Sequence, residues 1–149
     1  MNHVASTKSV EKVETNVASS ATHSLEIDTL GFAYASIDVA FSPFAGASGP
    51  TAAATVLRLA QSDVSGSGQT NISGMVGGTD YTVAAGTTAT GGVGYSHRFD
   101  VDLRGKKRYL TVYATPASAC GVVTIARLSK GEAGPVDATS KGVNTQSVG

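Results

Sequence analysis

The stretch that decides the fold is residues 98–128, RFDVDLRGKKRYLTVYATPASACGVVTIARL. Phe99, Val101 and Leu103 alternate with Arg98, Asp100, Asp102 and Arg104, the two-residue period of a strand with one face in a core and the other in water. Two further strand patterns follow, KKRYLTVYAT and VVTIARL, each bounded by a turn. Arg104-Gly105-Lys106 reads as a tight hairpin joining the first two strands, with Gly105 free to adopt positive φ. Pro116 ends the second strand, and ASACG carries the chain to the third.

The same alternation recurs upstream. Leu25 and Ile27 alternate with Glu26 and Asp28, and Leu30-Gly31 turns the chain into FAYASIDVAFS, with Ile37, Val39 and Phe41 on one face. ATVLRLAQS places Leu57 and Leu59 inward and Arg58 outward; QSDVSGSGQTN is a glycine-serine loop, and ISGMVGGTDYTVAAG breaks at Gly77-Gly78. About eight strands with loops of variable length predict an all-β, antiparallel, jelly-roll-like sandwich over residues 23–130. Residues 1–22 are polar and rich in Ser, Thr and Val. Val10, Val13 and Val17 have helical spacing but sit among poor helix formers, so an extended, flexible N-terminal arm is expected. Residues 131–149 read as a C-terminal tail of turn and linker residues.

Composition narrows the role. At 149 residues the chain fits one domain. Aromatics are 6% and Trp is absent, so the core is expected to be thin and built from small side chains. The net charge is zero, which argues against nucleic acid as a partner and leaves little self-repulsion between copies. The single cysteine, Cys120, lies in apolar ACGVVTIA and reads as a buried small hydrophobe, with synthesis in a reducing compartment. No signal peptide and no apolar run of the ~20 residues that span a bilayer is seen, which predicts a soluble protein without a membrane partner.

Chemistry-bearing patterns are sparse. His3, His23 and His97 have no metal-ligand spacing, and His97 reads as a surface residue. The glycine-rich segments lack a Walker lysine or a following helix, and no serine sits in a nucleophile elbow. The expectation is therefore a non-enzymatic protein without cofactor or metal. The concentrated charge feature is Arg104, Lys106, Lys107 and Arg108. It reads either as a contact for phosphates or an acidic patch on another protein or, more simply, as a solvated tip whose lysines discourage edge-to-edge aggregation.

LEIDTLGFAYASIDVAFSPFAG, TVLRLAQSDVSGSGQTNISGMVGGTDYTV and YSHRFDVDLRGKKRYLTVYATPA together resemble a recurring type of small structural protein of tailed bacteriophages. The most distinctive parts are Asp28-Thr29-Leu30-Gly31, Gln61-Ser62-Asp63 and Arg104-Gly105-Lys106-Lys107-Arg108-Tyr109. The resemblance implies a head decoration, or cement, protein: a virion component made in the host cytoplasm that clips onto the outer capsid surface, commonly as homotrimers. Its partners would be the major capsid protein and copies of itself. Candidate contacts are then Arg104, Lys106, Lys107 and Arg108, together with Val10, Val13 and Val17 on the arm. A neck or tail component built on a similar sandwich leaves the same traces. Two other classes stay open: a receptor- or carbohydrate-binding module of a tail or fibre, disfavoured by the lack of Trp, and a hydrolase for which no residue set can be named.

Overall fold

The computed structural model describes residues 7–44, 52–86, 94–130 and 139–145. Its strands are β1 (Lys8–Val17), β2 (His23–Asp28), β3 (Tyr34–Phe41), β4 (Ala52–Ala53), β5 (Val56–Ser62), β6 (Thr70–Val76), β7 (Ala85–Gly86), β8 (Tyr95–Asp102), β9 (Tyr109–Thr115) and β10 (Cys120–Ser129). No helix occurs among the described residues. The pairing is nested from the outside inward: β1 with β10, β2 with β9, β3 with β8, β5 with β6, all antiparallel. Two further pairings, β10 with β3 and β9 with β5, roll this long ribbon into two four-stranded sheets ordered β1-β10-β3-β8 and β2-β9-β5-β6. That is a jelly roll. The short β4–β7 pair lies outside both sheets.

The alternation in the sequence becomes the two sides of each sheet. Ala35, Ile37, Val39 and Phe41 of β3, Phe99 and Val101 of β8, and Val122, Ala126 and Leu128 of β10 face inward from the first sheet. Ile27, Leu57, Leu59, Leu110, Val112 and Ala114 meet them from the second. Each large aliphatic residue buried here contributes about 1.5–3 kcal/mol of hydrophobic stabilisation. Cys120 is buried among them, as expected of a small hydrophobe, and burial pushes its thiol pKa up.

Three expectations need correction. The arm is the first: from Lys8 to Val17 it is strand β1, hydrogen-bonded along β10, so the folded body begins before His23. Its inward side carries Val10, Lys12 and Glu14, opposite Ala126, Thr124 and Val122. A bulge between Glu14 and Val17 inserts one residue, and it returns Val17 to the core side, where it is buried. Val13 points the opposite way, so the three valines share no face. Residues 1–6 of the arm lie outside the described residues. Of the tail, 131–138 and 146–149 also lie outside them, while Lys141 accepts a hydrogen bond from Ser9 N at 2.6 Å, against β1.

The second correction concerns residues 103–108. Gly105 has φ 81° and Lys106 N donates to Leu103 O at 3.0 Å, so the turn forms. It does not make a hairpin, because β8 belongs to the first sheet and β9 to the second. Both patterns carry a core-facing row, and two such rows in succession can be buried against each other only from opposite sheets. The third is His97, which lies on the inward side of β8 and is half-buried, its ring stacked on Tyr81 at 4.3 Å between centroids. Burial pushes its pKa down.

Candidate functional site

The three distinctive segments converge on one end of the sandwich. Asp28, at the end of β2, accepts two hydrogen bonds from Arg108, at 2.9 and 2.7 Å. Those bonds hold the Asp28 carboxyl below its usual range. Beside it, Thr29 donates through both N and Oγ1 to Arg108 O, at 3.0 and 2.7 Å. Gln61 accepts from Lys107 N at 3.1 Å, and the Lys107 ammonium lies 3.4 Å from Asp63. Arg104 folds back on Asp102, whose carboxyl is drawn down to about 2 by that hydrogen bonding. Lys106 is exposed in the field of the same Asp102. Arg104, Lys107 and Arg108 are thus each paired with an acid of their own chain. Lys106 forms no ion pair among the described residues.

Ser62 continues this joint into a clasp. It accepts from Val64 N at 3.0 Å and donates to Ser67 O at 2.5 Å, which folds the 62–68 loop tightly. The loop then reaches the far edge of the second sheet, where Ser65 Oγ and Gly66 N donate to the two Glu26 oxygens at 2.5 and 2.7 Å. Ala60 and Thr111, which pair on the outer side of that sheet, are buried. The sequence marked this loop only as glycine-serine punctuation.

A polar tie crosses the core between the sheets. His23 of β2 is fully buried; its Nδ1 meets Glu14 of β1, and its Nε2 lies 3.0 Å from Thr124 Oγ1 of β10. Lys12 of β1 lies 3.4 Å from Glu14 and donates to Ser24 O at 3.2 Å. Burial pushes the His23 pKa down, with Glu14 opposing. Burial also opposes ionisation of Glu14, but hydrogen bonding to His23 and the charge of Lys12 outweigh it, and its pKa is lowered. Hydroxyl, imidazole and carboxylate follow in the order of a catalytic triad. Thr124 and His23 are both fully buried, however, so this arrangement holds sheets together without a path for substrate.

Near the opposite end, an open groove of about 450 Å³ is lined by Thr55, Gly77, Gly78, Asp80, Tyr81 and Val83. Two of its polar groups are already used: Tyr81 donates to Leu57 O at 2.7 Å and Asp80 accepts from Val76 N at 2.9 Å. A side chain at Gly77 would press into Leu57 O at 2.8 Å, which explains the glycine there. The aromatic ring of the groove is stacked on His97. Among the described residues, no three His, Cys, Asp or Glu side chains cluster to hold a metal, and no helix is long and apolar enough to cross a membrane.

No protein-family model matches the chain, and no curated protein does. Among solved structures, it is similar to a chain from the study of Bacillus endospore appendages, described as a family of disulfide-linked pili. The TM-score is 0.36 and the identity 17%, over 83% of this chain and 86% of that one. A likeness of that size carries no argument about role.

Proposed function

We propose that this protein is a non-enzymatic structural component of a virion, a cement protein that binds the outer surface of a phage capsid and stabilises it. The observation that carries the reading is the joint at Asp28, Gln61 and Arg108. Residues distinctive of the phage resemblance brace the sandwich: Asp28 bonds the Arg108 side chain, while Thr29 and Gln61 bond the backbone of Arg108 and Lys107. They build a rigid brick rather than a reaction centre. Jelly rolls are a common fold of capsid proteins, and many modest contacts repeated over a lattice retain such a brick without any one being tight. The partners are the major capsid protein and further copies of this chain, as homotrimers by the resemblance.

The test is co-sedimentation of the purified protein with capsids that lack it. Saturable binding at a fixed ratio to the major capsid protein supports the reading. Protein left in the supernatant, but retained on immobilised oligosaccharide, would replace it with the carbohydrate-binding alternative.

A further inference from the structure

The outer side of the first sheet carries the features of a contact surface. Val13 of β1 and Ile125 of β10 are 61% and 38% exposed, although each points straight out of a regular sheet. Half-buried Val123 and exposed Ala40 adjoin them in the same row as Val13. Glu11 faces Ile125 across the β1–β10 pair, and Arg127 lies two residues beyond Ile125 on the same face. Both charges are exposed. Neither has a hydrogen bond or ion pair among the described residues.

Most other charges among the described residues are paired, Lys8 and Lys106 excepted. Arg98 is paired with Asp38, Arg104 with Asp102, Lys107 with Asp63 and Arg108 with Asp28. Arg58 lies 4.4 Å over the Tyr113 ring, and Lys130 lies 5.1 Å from the centre of the Tyr34 ring. An unpaired acid and an unpaired base flanking one exposed isoleucine form a self-complementary patch. A two-fold axis passing close to Ile125 brings Glu11 of one copy onto Arg127 of the other, twice, and seats the two isoleucines against each other.

We infer that the outer face of the first sheet, centred on Ile125, binds a second copy of this chain through reciprocal Glu11–Arg127 pairs. A face three to four strands wide offers on the order of 500 Å² per copy, at the low end of specific interfaces. The contact is therefore weak in solution and gains strength when many copies are held side by side. A three-fold assembly contains no two-fold axis, so this contact joins neighbouring assemblies and does not build the trimer. It stands independently of capsid binding.

The experiment is sedimentation velocity on the full chain from micromolar to millimolar concentration. Wild type is expected to show two-fold association that Arg127→Glu weakens on the order of tenfold, through the like charges then opposed. Glu11→Arg alone is expected to do the same, and the double exchange E11R/R127E to restore association. All these side chains face solvent, so thermal melting should be unchanged and confirms folding. Absence of association at millimolar wild type, association indifferent to the single changes, or failure of the double exchange to restore it would each overturn the inference. Protein that binds capsids but fails this test would leave the cement reading intact.

Discussion

Asp28 and Arg108 stand 80 residues apart in the chain and meet as a two-armed ion pair at 2.9 and 2.7 Å. The pair closes the end of β2 onto the start of β9, and Thr29 doubles it by donating twice to Arg108 O. Thr29 is buried, so Thr29→Val keeps shape and removes only the hydroxyl bond. It should cost about 1 kcal/mol in a urea titration. An unchanged midpoint would show that the joint does not brace the sandwich.

Glu26 is the anchor of the clasp. Glu26→Ala leaves Ser65 Oγ and Gly66 N without their acceptor and frees the 62–68 loop from the outer side of the second sheet. Protease cutting between Ser65 and Gly68 should accelerate several-fold, with global stability reduced by about 1–2 kcal/mol. Equal cutting rates in the two proteins would mean that the loop is held by something else.

Stability should fall on mild acidification. The folded pKa of His23 lies below its ordinary 6.5, so the unfolded chain binds the proton more readily. The stability this group contributes is complete above that ordinary value and is lost as the pH falls through the lowered one. Glu14, also lowered, adds a second loss at more acidic pH, below the usual carboxylate range. Urea midpoints at pH 7.5 and 5.5 should differ for wild type and converge for His23→Gln. A larger difference in the variant would contradict the assignment.

The first strand belongs to the fold. Deleting residues 1–17 strips β10 of its outer partner and removes Glu14 from buried His23. The product should lack a cooperative melt. A truncated chain that melts like wild type would restore the picture of a detachable arm.

Much of this architecture is legible in the sequence. In β3, β5, β8, β9 and β10 the inward positions are mostly aliphatic or aromatic, Gln61 and Thr124 excepted, and the outward ones mostly polar or small, so alternation marks them as strands. β1 escaped because its inward row, Val10, Lys12 and Glu14, is mostly charged at the sandwich margin, where it answers to His23 and Ser24 rather than to oil. The bulge at Glu14–Val17 then broke the remaining rhythm. His23 gave no local sign of burial, since its partners lie 9 and 101 residues away. The fate of the basic cluster was hidden for the same reason. Arg104 finds its acid nearby in Asp102, but Lys107 and Arg108 find theirs on other strands and loops.

The central claim is that this brick strengthens a shell. Its most direct measurement is the temperature at which DNA-filled particles release their genome, followed with a DNA-binding dye, with and without the protein added back. The account predicts a higher release temperature on add-back, saturating at a fixed number of copies per particle. Release at the same temperature with the protein bound, or no protein retained on the particle, would contradict it.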